Sequence, residues 1–168
     1  MTQQEAELPE SARDPAPDVI ASPDKPTLRV AGLLVHDGSI LMVEQGREGE
    51  RYWLLPGGGV RFGETLSDAL RREFIEELGI RVGVSKLLAI VESVSPDPSY
   101  RKHVVHLVFE VSAPFDTDPE PHDPKVLSAA FLDELQLQRV DVRPPIAEFL
   151  SGCVRELPSS PQYLGRRW

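Results

Sequence analysis

Residues 57–80, GGGVRFGETLSDALRREFIEELGI, decide how this chain is read. Three glycines lead into a helical spacing, and Gly79 stands where a left-handed C-terminal cap is expected. Between them Glu73, Glu76 and Glu77 fall within a single turn beside Arg72, although like charges at that spacing destabilise a helix. At about 100° per residue, Leu66, Leu70, Phe74 and Leu78 form one apolar stripe. Ala69, Glu73 and Glu77 form the next, and Arg72 and Glu76 the one beyond. The acids therefore stand at the rim of the buried face. Two carboxylates about 5 Å apart repel by about 3 kcal/mol at an effective dielectric of about 20. A hard divalent cation removes that repulsion, because Mg²⁺ takes carboxylate oxygens, keeps several waters and bridges to phosphate. A solvated helix with local ion pairs accounts for RREFIEELGI taken alone. It does not account for the upstream spacing, which runs Gly58, five residues, Glu64, seven residues, Arg72-Glu73-Phe74, one residue, Glu76-Glu77, one residue, Gly79-Ile80.

Working outward, "YWLLPGGG" reads as a short buried strand stopped by Pro56 and followed by a glycine loop. Before it, "TLRVAGLLVHDGSILMVEQG" gives two apolar runs around Asp37-Gly38, a β-hairpin signal. After the helix, "IRVGVSKLLAIVESVS" and "KHVVHLVFEVSAPF" read as strands separated by the turn-rich "PDPSY". The acidic, proline-rich loop "DTDPEPHDPK" leads to another strand, "VLSAAFL", and a helix from about Pro144 to Leu157 closes the domain. Residues 1–26 carry five prolines and almost no large apolar side chains, which predicts a disordered acidic arm. The expected organisation is that arm, one folded domain over 27–157, and a C-terminal tail over 158–168. The fold class is α/β with a mixed sheet, since hairpins connect several of the strands.

At 168 residues the chain suits one well-packed domain. A net charge of -9 and a pI near 4.9 argue against general nucleic-acid binding or an anionic membrane surface, though a small polyphosphate can still bind through a metal. The single cysteine, Cys153, excludes an internal disulfide framework and a multi-thiolate zinc site. With no apolar run of membrane-spanning length and no signal-peptide pattern at the N-terminus, the expected location is cytoplasmic.

The stretch Gly58 to Ile80 matches the whole Nudix box, G-x5-E-x7-R-E-U-x-E-E-x-G-U with U bulky and apolar, and the chain thereby resembles the Nudix hydrolase superfamily. The resemblance implies an α/β/α sandwich around a mixed β-sheet, with the box as loop-helix-loop. It implies Mg²⁺- or Mn²⁺-dependent hydrolysis of a pyrophosphate bond in a nucleoside diphosphate linked to another moiety. Glu73 and Glu77 resemble the main metal ligands, with Glu76 joining them or handling a metal-bound water. Glu64 resembles an outer ligand or water-positioning group, and the Gly57 carbonyl a backbone ligand. Arg72 is expected to hold Glu73 in its rotamer. The cations would neutralise the bridging phosphates and acidify a water oriented for in-line attack on phosphorus.

Outside the box the signals are thinner. Arg51 and Arg61 flank the glycine loop and could contact phosphate. Tyr52, Tyr100 and Phe115 could stack on a base, with core placement the plainer expectation. His103 and His106 alternate with apolar residues and are read as sheet-surface residues. Asp118, Glu120 and Asp123 lie where many relatives place an extra base or ligand. Pro96, sixteen residues after Ile80, is similar to a marker of ADP-ribose and ADP-sugar pyrophosphatases, which favours that substrate class slightly over nucleoside triphosphates or dinucleoside polyphosphates. The alternatives are an RNA-end pyrophosphohydrolase, which calls for a basic groove beside the box, and a catalytically silent regulator, which calls for a damaged box. The expected partner is a small nucleotide, and a homodimer stays open.

Overall fold

The computed structural model describes residues 25–47, 49–97, 99–114 and 118–168. The expectations for the N-terminal arm over 1–24 and for Phe115 lie outside the described residues. Among the described residues, nine strands and three helices follow in chain order. They are β1 Thr27–Leu33, β2 Val35–His36, β3 Ser39–Arg47, β4 Glu50–Leu54, β5 Gly57–Gly59, α1 Leu66–Leu78, β6 Gly83–Val94, β7 His103–Ser112, β8 Ser128–Asp133, α2 Glu134–Leu137, α3 Ala147–Arg155 and β9 Gln162–Arg167.

Two sheets form. Sheet A has the order β5-β1-β7-β6-β9 and is mixed: β1 runs parallel to β7 and antiparallel to β5, while β6 runs antiparallel to β7 and parallel to β9. In sheet B, β3 pairs antiparallel with β2, β4 and β8. Alternation along β1 and β3 feeds a core on each face of the sheets. Ala31, Leu33, Ile40 and Met42 pack with Leu137 of α2 and with Leu150 and Cys153 of α3. Val30, Leu41 and Val43 pack with Leu70, Phe74 and Leu78 of α1. Helices on both faces give the α/β/α arrangement expected from the sequence.

The hairpin at Asp37-Gly38 is present, with both residues in the left-handed region (φ 45° and 71°), as a primed two-residue turn requires. It joins β2 to β3, however, and β1 departs from the expected pairing by joining β7 in the other sheet. The glycine loop is also corrected, because Gly57–Gly59 is a strand registered on Arg29–Ala31. The closing helix starts at Ala147, after Pro144 and Pro145 instead of within them, and the short α2 precedes it. The span read as a C-terminal tail contains β9, which extends sheet A beside β6.

Candidate active site

Helix α1 is built as its pattern demands. Thr65 caps its start, the hydroxyl accepting from the Asp68 N–H at 3.1 Å. Gly79 ends it at φ 68°, with its N–H on Ile75 O and the Ile80 N–H on Phe74 O. The His122 ring lies where a Cβ on Gly79 would sit, so the loop over 118–126 closes against this cap. The His122 N–H also donates to Glu77 O at 2.8 Å.

Burying the Leu70, Phe74 and Leu78 stripe sets the depth of each carboxylate. Glu77 is 6% exposed, whereas the Glu73, Glu64 and Glu76 side chains are 15%, 20% and 43% exposed. Arg72 holds the outer three together. Its Nε donates to Glu64 Oε1 at 2.6 Å and its Nη2 to Glu64 Oε2 at 2.9 Å. Its Nη1 donates to Glu73 Oε1 at 2.5 Å and Glu76 Oε2 at 3.0 Å, and Nη2 also reaches Gly59 O at 3.0 Å. Arg61 adds a 3.2 Å contact to Glu76, and its backbone N–H donates to Glu64 at 2.9 Å. These bonds from Arg72, then from the Arg61 backbone, pull the Glu64 carboxyl down to about 2.

Glu77 has no such clamp. Its Oε2 accepts from the Gly57 N–H at 2.8 Å. Burial pushes its carboxyl up to about 7; the Gly57 N–H and Arg29 oppose that rise, and the Glu73 and Asp123 charges add to it. Glu73 folds over Gly58, where any Cβ would collide with its carboxylate, which accounts for glycine at that box position.

Arg29 is the functional candidate that the sequence reading missed. It donates to Leu55 O and Gly57 O, each at 2.9 Å, and so fixes the entry to the glycine strand beside Glu77. A lone charge inside the apolar run TLRVAGLLV was its sequence signal.

The donor set is hard: carboxylate oxygens, with one oxygen of Glu73 and one of Glu77 accepting no hydrogen bond among the described residues. Those properties fit a divalent cation. Among the described residues, however, no three His, Cys, Asp or Glu side chains already converge as a metal nest, because Glu64, Glu73 and Glu76 are turned onto Arg72.

The residues outside the box separate. Arg61 reaches the cluster, whereas Arg51 turns away to Glu44 at 3.4 Å. Glu120 and Asp118 line a cavity of about 280 Å³ beside Gly79 and His122, at the far end of α1 from Thr65. Tyr52 is half-buried under the Arg143 guanidinium, 4.6 Å from its centroid. Tyr100 is not a core residue; it is 54% exposed. His106 is not a surface residue either. It is 8% exposed, with Nε2 3.0 Å from Ser93 Oγ and Nδ1 without a partner among the described residues. His103 is half-buried and meets Glu92 at 3.0 Å. No helix of the described residues is long and apolar enough to cross a membrane.

Comparison with known proteins gives a NUDIX domain match over residues 26–153. An ADP-ribose pyrophosphatase from Methanocaldococcus jannaschii is 36% identical over 85 residues, 50% of this chain and 49% of that protein, so the chain spans about half the length of this relative. Phosphatase NudJ of Escherichia coli K12 is 27% identical over 130 residues, covering 77% of this chain and 83% of that one. Among solved structures, a NUDIX hydrolase from Nitrosomonas europaea superposes with a TM-score of 0.65 at 24% identity, covering 75% of this chain and 86% of that one.

Proposed function

The chain belongs to the NUDIX family, and from that premise we propose that it hydrolyses a pyrophosphate bond in a nucleoside diphosphate linked to another moiety, using Mg²⁺ or Mn²⁺. Glu73 and Glu77 would hold the cation, with Glu76, Glu64 and the Gly57 carbonyl completing its surroundings. When bound, the cation supplies charge neutralisation for the phosphates and acidifies water for attack on phosphorus. Arg72 positions Glu64, Glu73 and Glu76, a task a planar guanidinium with five donors performs and an ammonium cannot. Arg29 donates to the Gly57 carbonyl while the Gly57 N–H donates to Glu77, so the strand is held between the two side chains. Arg61, which meets Glu76 at the cluster's outer edge, would contact a phosphate oxygen.

The observation that carries this reading is Glu77, a carboxylate buried beside Glu73 and bonded through one oxygen to a glycine N–H. Burial without a cationic clamp is costly, and a bound cation is the partner that relieves it. ADP-ribose or an ADP-sugar is the favoured substrate, on the position of Pro96 and on the name of the archaeal relative. The test is a panel of ADP-ribose, ADP-sugars, nucleoside triphosphates and dinucleoside polyphosphates with Mg²⁺, Mn²⁺ or chelator, with products separated by chromatography. Cleavage at the pyrophosphate, abolished by chelator, is expected. Turnover that survives chelation would defeat the reading.

A further inference from the structure

Two points tie the loop between β7 and β8 to α1, and Asp123 lies between them. The first is His122. Its N–H donates to Glu77 O at 2.8 Å, one of the last four carbonyls that a helix cannot pair within itself. Its ring covers Gly79, where any Cβ would collide with it. Glycine is therefore required at that position twice, by the left-handed backbone (φ 68°) and by the ring above it. The second point is Val126, buried against the stripe of Leu70, Phe74 and Leu78. A turn joins the two points, in which Asp123 O accepts the Val126 N–H at 2.9 Å and Asp123 Oδ1 the Lys125 N–H at 2.8 Å. Ahead of His122 the loop stands off the helix, because Asp118 and Glu120 line a cavity of about 280 Å³ with Leu78, Gly79 and Ile80.

We propose that His122 is a positioning residue for the hydrolysis: with its N–H on Glu77 O and its ring on Gly79, it latches the β7–β8 loop to the C-terminal cap of α1 and so holds the Asp123 carboxylate beside Glu77. The proposal deepens the hydrolase reading and rests on it. The imidazole makes no hydrogen bond or ion pair among the described residues, so it contributes a flat surface and not a charge. Asp123 is half-buried, and its charge joins that of Glu73 in raising the Glu77 carboxyl. Among the described residues it is not gathered with Glu73 and Glu77 into a metal nest. It acts instead through its charge, which adds to the negative potential that a cation at Glu77 would meet and which falls off with distance. A loop that drifts away from the cap would take that charge with it. Asp118 and Glu120, at the cavity ahead of the latch, are not placed this way.

The test has two readouts on the full chain: turnover of ADP-ribose, or of the fastest substrate in the nucleotide panel, and the rise in melting temperature that Mn²⁺ alone gives. The proteins are wild type, His122→Gly, His122→Phe, Asp123→Asn and the double variant His122→Gly/Asp123→Asn. Glycine removes the ring and loosens the N–H on Glu77 O, whereas phenylalanine keeps a flat ring over Gly79. Asparagine keeps the shape of Asp123 and its bond from Lys125. His122→Gly and Asp123→Asn should each lower kcat roughly tenfold with little change in KM, and weaken Mn²⁺ by a similar factor, as losing a group that tunes metal ligands does. At a Mn²⁺ concentration about tenfold above the wild-type Kd, that weakening cuts the rise in melting temperature to about a third. His122→Phe should restore both readouts. The double variant should be no worse than either single one, because the two residues act as a unit. Wild-type kcat and Mn²⁺ response in His122→Gly overturn the proposal. Failure of phenylalanine to restore them also overturns it, making the imidazole itself the working group, and so do losses that multiply in the double variant. If wild type hydrolyses nothing in the panel but both single variants lose Mn²⁺ response, the hydrolase reading falls and the latch stands. If wild type hydrolyses and the variants match it, the reverse holds.

Discussion

At the β5 flank of sheet A, Glu64, Glu73 and Glu76 crowd around Arg72 with Glu77 buried behind them; at the β9 flank, Lys102, Arg166 and Arg167 stand exposed around an aromatic pair. The first flank is tied down bond by bond, and its charges act on one another at 2.5 to 3.0 Å. The second is held by the pairing of β9 with β6, and Arg166 Nη2 donates to Val94 O at 3.4 Å. Between them His106 sits buried with one ring nitrogen unpartnered. The difference separates a site whose charged side chains hold one another from a surface whose charged side chains are exposed.

The largest expected effect is on the assembly of the first flank. Phe74 is fully buried against β1, its ring filling the space where a Cβ on Gly32 would sit. Phe74→Ala should cost about 3–5 kcal/mol in denaturant unfolding. A loss below about 1 kcal/mol would mean that α1 is not anchored by this stripe. Glu77→Gln keeps shape and removes charge, so it should fold and lose at least ~10²-fold in kcat. Near-normal turnover in a folded Glu77→Gln protein would remove Glu77 from the reaction. Arg72→Lys should cost about tenfold in kcat/KM and weaken cation binding, since one ammonium cannot hold three carboxylates in place. Full rescue by lysine would reduce Arg72 to a simple positive charge.

The buried Glu77 and His106 also give opposite pH windows in metal-free protein. Burial, aided by Arg29 and Lys102, depresses the His106 imidazole from its ordinary 6.5 to about 3. Below about pH 6.5 the unfolded chain then binds a proton that the native state refuses, so stability falls as pH falls, by about 1.4 kcal/mol at pH 5.5. Glu77, raised to about 7 among Arg29, Glu73 and Asp123, does the reverse: the native state binds the extra proton, and stability rises as pH falls from about 7 toward 4.5. Metal-free wild type should therefore show a shallow profile between pH 7.5 and 5.5. Glu77→Gln should lose stability on acidification, and His106→Gln should gain it. Parallel profiles in the two variants would contradict the opposition.

How much of this the sequence showed follows the range of the interactions. The helix, its Gly79 cap and the placing of Glu73 and Glu77 nearer the buried face than Glu76 came from spacings of three, four and five residues along one element, and the structure keeps them, although Glu77 is buried and not at the rim. The expectation that Arg72 holds Glu73 came from the resemblance to the Nudix box, and the structure has a bond between them. Strand β5 was not, because three glycines have no strand preference and pair only because β1 lies beside them. The split of β1 from β3 depends on the parallel partner β7, more than 70 residues away in sequence for every pair. Strand β9 is hidden for the same reason, since Gly165 and two arginines break any alternation and the partner is distant β6. The burial of His106 was misread because its strand alternates, and alternation alone does not say which face is covered.

On the proposed function, the crowded carboxylates of α1 hold a divalent cation. The most direct test is the melting temperature of wild type and Glu73→Gln, each measured with Mg²⁺, with Mn²⁺ and with Na⁺ at matched ionic strength. A cation that binds only the folded state, at tenfold excess over its Kd, adds about 1.4 kcal/mol, which is about 3–6 °C for a chain of this size. That shift is expected in wild type with either divalent ion, with little from Na⁺, and a reduced divalent shift is expected in Glu73→Gln, whose metal-free form melts no lower than metal-free wild type. Equal divalent shifts in the two proteins would place the cation elsewhere and leave the acidic turn without its proposed purpose.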